Sequence, residues 1–313
     1  MGKRVTVQKP KMPQIDIRVL RDPGERTMKF VGFLPVVFYV LVAGFAMWLV
    51  PRPPIGLDLL IWLGLGGVML LGMVGRQRGQ LLKRYPRSRV TGSQYPEVRL
   101  QLNQLCRLLD IKKVPETYII DAAELSAKVR GLTAPYLVIS SRLLQVLSPR
   151  EFEALLGTLV GHVKGRTVGW RTFITTLQEA SGLAKAICFP FVVTSRLMAD
   201  YLEASARTAD RIALLLVDGD FHLMTRTIIK LISYSSALIT DQQRRQLEAF
   251  LGRDSMEAKA EDVEHQMIIG QMLRHVPGLK ERLGNLSSAE DDPRFEAQLA
   301  AMEERREKLQ PAR

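Results

Sequence analysis

The sequence predicts an α+β protein in which an N-terminal transmembrane helical hairpin leads into a mainly helical domain with a small β-sheet. Three observations predict it. Two apolar runs of membrane length flank a proline-rich turn, apolar residues recur at helical spacing through most of the remainder, and two short segments are rich in β-branched and aromatic residues. The 313 residues suffice for one large domain or two small ones. A composition of 47% hydrophobic and 24% charged residues excludes a long disordered or collagen-like chain. Cys106 and Cys188 are the only cysteines. They cannot form a secreted disulfide framework or a four-thiolate zinc site, and they point to a reducing compartment.

The run from Phe30 to Val50 carries no charge and, at about 1.5 Å per residue, reaches about 30 Å, the thickness of a hydrocarbon core. The second run, Ile55 to Val74, has Asp58 as its only charge, one turn inside its start, where a carboxylate lies beside the positive end of the helix dipole. Pro51-Arg52-Pro53-Pro54 cannot continue a helix, so the two runs form a tight hairpin. A long polar stretch precedes Phe30, unlike a cleaved signal peptide, so both spans are expected to persist.

Lys3, Arg4, Lys9, Lys11, Arg18, Arg21, Arg26 and Lys29 precede the hairpin, and Arg76, Arg78, Lys83, Arg84, Arg87 and Arg89 follow it. The turn has only Arg52. By the positive-inside rule both termini and the main domain are cytoplasmic, and the setting expected is a bacterial inner (cytoplasmic) membrane. These flanks account for much of the formal net charge of +12 and would gain about 1 kcal/mol per residue from anionic lipid. No aromatic residues interleave with them in an RNA-reading pattern, so membrane lipid, and not nucleic acid, is the expected partner.

Val98, Leu102, Leu105 and Leu109 mark a helix. Glu116-Thr-Tyr-Ile-Ile-Asp121 and Pro135-Tyr-Leu-Val-Ile-Ser140 read as strands, with an intervening piece ending at Gly131. Ser148-Pro149-Arg150-Glu151 is a capping box with proline at the first helical position, and Phe152, Leu155, Leu156, Leu159 and Val163 follow on one face. Trp170 to Phe191 is apolar but interrupted by Arg171, Gln178, Glu179 and Lys185, which suits a packed or membrane-skimming helix better than a third span. Helices are expected over Leu197–Val217, Phe221–Ile239, Asp241–Leu251 and Ser255–His275. From Pro293 to Leu309, Phe295, Leu299, Met302 and Leu309 form a stripe amid dense charge, which suits either a partner-binding helix or one covering its own domain. The expected organisation is a basic arm over 1–29, the hairpin over 30–74, a basic linker over 75–94, a folded domain over 95–286 and a charged C-terminal helix over 287–313.

Val114-Pro-Glu-Thr-Tyr-Ile-Ile-Asp121, Val138-Ile-Ser140, Leu147-Ser-Pro-Arg-Glu-Phe-Glu-Ala154, Ala209-Asp210-Arg211 and His275-Val-Pro-Gly-Leu-Lys-Glu-Arg-Leu283 follow one another in an order and spacing that resembles the HtpX-type membrane zinc metalloproteases. The likeness runs from about Tyr95 to Leu286. It implies a zincin-like cytosolic domain behind the membrane hairpin, with a His-Glu-x-x-His helix in which two histidines hold Zn²⁺ and the glutamate activates water.

This sequence departs from that motif. It reads Thr158-Leu159-Val160-Gly161-His162, so the resemblance places the first histidine on Thr158 and the catalytic glutamate on Leu159, and the third ligand falls on Ala206. Thr158 is a poor zinc ligand, Ala206 offers none, and Leu159 has no proton-accepting group. His162 is the one conventional ligand left, and rescue would need His222, His265, His275, Asp210 or Asp220 to converge on it. The expectation is a pseudoprotease with no catalytic residues, no metal and no zinc cofactor, in which His162 is a hydrogen-bonded structural residue. Cys106 and Cys188 read as buried packing residues, because no adjacent histidine marks either for activation.

In the family, a strand entered through Asn-Ala-x-Ala-x-Gly pairs with extended substrate. Here that segment reads Ser126-Ala127-Lys128-Val129-Arg130-Gly131. Main-chain pairing needs no particular side chain, so the edge either still captures peptide or is an ordinary edge strand blunted by Lys128 and Arg130. The expected function is protein–protein binding as a scaffold, adaptor or structural subunit of a membrane complex. The alternative is an atypical membrane-bound metallopeptidase that uses non-standard metal ligands.

Overall fold

A computed structural model of the chain describes residues 13–49, 55–86, 88–122, 125–235 and 279–309. After a short helix α1 (Ile17–Leu20), capped by the Asp16 carboxylate, come two long helices, α2 (Pro23–Leu49) and α3 (Ile55–Arg84), which pack against each other. Both are long and apolar enough to cross a membrane. Only 12% and 17% of their apolar windows are buried within the chain, whereas the core helix of a soluble fold would be mostly buried. Phe30, Trp48 and Val68 are instead 71%, 78% and 69% exposed, an outward face suited to lipid.

The helices outrun the apolar sequence at both ends. The segment read as a linker over 75–94 is helical to Arg84, because straight-chain Gln, Arg, Leu and Lys side chains favour helix. The arm is not free over its described part. Leu20 is buried in the main core, Asp22 pairs with Arg207 (2.7 Å), and the fully buried Glu25 accepts from Thr208 (3.1 Å). Residues 1–12 lie outside the described residues.

Helix α4 (Pro96–Leu108) buries Leu102 and Leu105 and leads into the sheet. Strand β1 (Glu116–Ile120) pairs in parallel with β3 (Tyr136–Ser140), from Glu116 opposite Tyr136 to Ile120 opposite Ser140. The intervening piece, whose Ser126–Gly131 segment the resemblance marks as an edge strand, forms strand β2 (Ala127–Arg130), antiparallel to β3. Ala127, Lys128, Val129 and Arg130 alternate apolar and charged, with Val129 buried and Lys128 exposed, and pairing with the fully buried β3 holds the segment extended. The order β1-β3-β2 puts β2 at an edge, while the other edge is covered at Tyr118 by a bridge from Arg89. After β2, Gly131 turns at φ +116°, where an added Cβ would stand 2.2 Å from the Ala134 carbonyl oxygen.

A single turn, α5 (Leu143–Val146), precedes the central helix α6 (Pro149–Lys164). Its capping box forms as the sequence reads, with Ser148 N–H donating to Glu151 Oε2 (2.8 Å) and Glu151 N–H to Ser148 Oγ (3.3 Å). The stretch expected as one helix over Trp170–Phe191 is broken into α7 (Val168–Gln178), α8 (Gly182–Ile187) and α9 (Phe189–Leu197). Ser181 caps α8 and the chain turns at Cys188, so these pieces pack against α2 and α3 and leave Leu183 and Phe189 exposed. Helix α10 (Ala199–Leu216) lies against α6, followed by α11 (Phe221–Ser235). The expected helices at Asp241–Leu251 and Ser255–His275 fall outside the described residues.

The C-terminal boundary expected at 287 falls inside a helix, α12 (Leu279–Glu290), which is followed by α13 (Pro293–Leu309). Phe295 and Met302 of α13 join the main core, Arg305 donates to the Leu108 carbonyl, and Arg306 pairs with Asp218 (2.7 Å). The charged helix thus covers its own domain.

Candidate functional site

Helical spacing sets Thr158, Leu159 and His162 on one face of α6. At Gly161 of the same helix a Cβ would come within 2.8 Å of the Ala209 carbonyl oxygen, so the backbones of α6 and α10 approach closely. That approach brings Ala206, one turn before Ala209, to the same place. Thr158, Leu159, His162 and Ala206 line one cleft of about 380 Å³, and Ser126, Ala127, Lys128, Val129 and Arg130 of the β2 segment line it too. Every degenerate motif position therefore meets the candidate peptide-binding edge, except that Gly131 lines a different cavity.

Within the cleft, Thr158 Oγ1 donates back to the Ala154 carbonyl (3.4 Å) and Leu159 is buried. His162 is 5% exposed, and its Nδ1 lies 2.9 Å from Thr167 Oγ1. The Thr167 hydroxyl also reaches the His162 carbonyl oxygen (3.3 Å), an arrangement that suits an Nδ1–H donating to Thr167. Burial, with Arg171 and Arg282 adding their charge, holds the His162 pKa well below the usual imidazole range, so the ring is neutral at physiological pH.

Two guanidinium groups that the sequence did not mark complete the cleft. Arg171 on α7 donates from Nη1 to the Leu202 carbonyl (2.7 Å) and to Ser205 Oγ (2.8 Å), both neutral oxygens. Burial first, and then the neighbouring charge of Arg282, pulls its pKa down to about 10. Arg282 on α12 grips Asp210 through Nε (2.7 Å) and Nη2 (2.9 Å), and Asp210 is fully buried. Burial opposes the Arg282 charge, but Asp210 outweighs it and raises the pKa.

The donor set does not fit Zn²⁺. It offers one imidazole beside a back-bonded hydroxyl, a methyl group and an isobutyl group, and two guanidinium cations would repel a dication in a low-dielectric cleft. Asp210 is committed to Arg282, Asp220 accepts from the Leu223 N–H (2.9 Å) at the start of α11, and His222 is exposed beside Phe221. None of these three lines the cleft. His265 and His275 lie outside the described residues, among which no group of three or more His, Cys, Asp or Glu side chains is placed to hold a metal.

Sequence reasoning met Arg171 only as an interruption in an apolar run, and Arg282 only as a letter in the C-terminal signature. It also missed a larger apolar cavity of about 790 Å³ between the two long helices and the domain, lined by Val36, Leu70, Trp170, Phe173 and Phe191. No family model matches the chain, and neither a curated protein nor a solved structure matches it.

Proposed function

We propose that the chain is a catalytically inactive, membrane-anchored relative of the HtpX-type zinc metalloproteases, whose cytosolic zincin-like domain holds an extended segment of a partner protein. It works as a scaffold, adaptor or structural subunit of a membrane complex, with the hairpin in a bacterial inner membrane and both termini in the cytoplasm. The observation that carries this reading is the convergence on one cleft of the four degenerate motif positions, the edge strand β2 and two guanidinium groups. A site for metal-assisted hydrolysis needs a held metal and a base for its water. Leu159 supplies no base, and Arg171 and Arg282 present fixed positive charge where the resemblance puts the metal.

What remains is a concave surface bordered by the edge strand β2, which suits strand addition. The test combines two measurements on the full chain in membranes. A quenched-fluorescence peptide library should show no cleavage above that of His162→Ala, and a photo-crosslinking side chain at the exposed position 128 should capture partner protein. Cleavage lost in His162→Ala would overturn the reading. So would crosslinking no greater from position 128 than from Glu290 on the surface of α12.

A further inference from the structure

We propose that the cleft selects an extended peptide that presents a carboxylate, its C-terminal one or that of an Asp or Glu side chain, to Arg171 and Arg282 while its main chain lies along β2. This rests on the reading of the cleft as a non-cleaving peptide groove and adds the class of peptide the groove takes.

The charges decide it. Lys128, Arg130, Arg171 and Arg282 line the cleft against one acid, Glu179. Arg130 holds Glu179 at 2.7 and 2.9 Å, and Asp210 neutralises Arg282 from behind. Lys128 and Arg171 form no ion pair among the described residues, and Asp210 acts on Arg171 only at a distance. Lys128 is exposed, whereas Arg171 is part-buried with only neutral oxygens on Nη1. A guanidinium so placed gains most from an anion, and its planar fork matches a carboxylate. Arg282, paired with Asp210, lines the same cleft.

The remaining lining says what carries that carboxylate. Leu155, Leu159, Leu231 and Ile232 offer apolar surface, and the outer edge of β2 pairs with no strand among the described residues. A small anion uses neither feature. A peptide strand uses both, with alternate side chains on the apolar wall and its main chain on the edge.

The full chain, immobilised in detergent, would be offered an equimolar pool of random decapeptides in two forms, free C-terminal acid and C-terminal amide, and bound peptides would be identified by mass spectrometry. Free acids, and amides containing Asp or Glu, should be recovered about tenfold or more over amides lacking both, as expected for a charge-assisted hydrogen bond. Arg171→Gln should remove that preference and Arg171→Lys should keep part of it. If Arg171→Gln does not fold, Ala206→Glu supplies the second test, because an acid built into the cleft competes with the peptide's and should lower recovery of acidic peptides to that of neutral ones. Equal recovery of all forms by the unaltered protein overturns the carboxylate proposal and leaves the groove standing. Recovery of no form above bare resin overturns both.

Discussion

The Asp210–Arg282 pair fixes the cation on one wall of the cleft, and its removal has a calculable consequence. Asp210 is 0% exposed, and both of its oxygens accept charge-assisted bonds from one guanidinium, at 2.7 and 2.9 Å. Asp210→Asn leaves Arg282, whose side chain is 23% exposed, without its counter-ion, beside Arg171, which forms no ion pair among the described residues. Breaking a buried pair from one side costs about 3–5 kcal/mol, against about 0–1 kcal/mol for a surface pair. For a domain of this size that lowers the melting temperature by on the order of 10 °C. The double variant Asp210→Asn, Arg282→Met removes both charges and should recover most of the loss, because the penalty comes from the stranded charge and not from the missing bond. Thermal unfolding of the detergent-solubilised protein, followed by intrinsic tryptophan fluorescence, reads both. A single variant within about 1 kcal/mol of the parent would refute the reasoning, as would a double variant no better than the sum of its singles.

Four further outcomes follow from the same geometry. Because the His162 pKa is depressed in the folded state, the unfolded chain takes up the proton first, so the stability from a neutral His162 is present above the unfolded value of about 6.5 and is lost as pH falls below it. Denaturant titrations between pH 7 and 5 should show a falling stability that His162→Gln flattens. Gly161→Ala puts a methyl group 2.8 Å from a backbone oxygen and should cost about 1–3 kcal/mol, whereas Gly44→Ala, with nothing within 4 Å, should leave the melting temperature unchanged. Cys106 and Cys188 are both buried, and burial pushes the Cys106 thiol up to about 12. Neither should react with maleimide at neutral pH until the protein unfolds, and rapid labelling of either would contradict the packing. A reporter cysteine at Arg52 should be labelled only from outside the membrane and one at Gly92 only from inside; the reverse pattern would invert the orientation proposed from the basic flanks.

Where one physical signal dominated, the fold was legible in the sequence. Uninterrupted apolar length gave α2 and α3, and the capping box at Ser148 and Glu151 gave the start of α6. Strand β2 was legible as an edge strand through the resemblance at Ser126–Gly131, but its pairing with β3 was not, because a four-residue alternation does not name a partner distant in sequence. The break-up of Trp170–Phe191 hinges on a Ser181 cap and a turn at Cys188, local events that a hydropathy run conceals. At the site, spacing alone set Thr158, Leu159 and His162 on a common face. The approach of Ala206 depends on Gly161 packing against α10, and the placement of Arg171 and Arg282 depends on two helices far apart in the chain. Tertiary juxtaposition of charges leaves no periodic trace in sequence, and for that reason the cationic character of the cleft could be seen only in the folded chain.

The most direct test of the account is the metal content of the full-length protein, purified from membranes without added zinc or chelator and measured by inductively coupled plasma mass spectrometry alongside His162→Ala. Zinc far below one per chain is expected, with the same trace in both proteins. Stoichiometric zinc that vanishes in His162→Ala would contradict that claim.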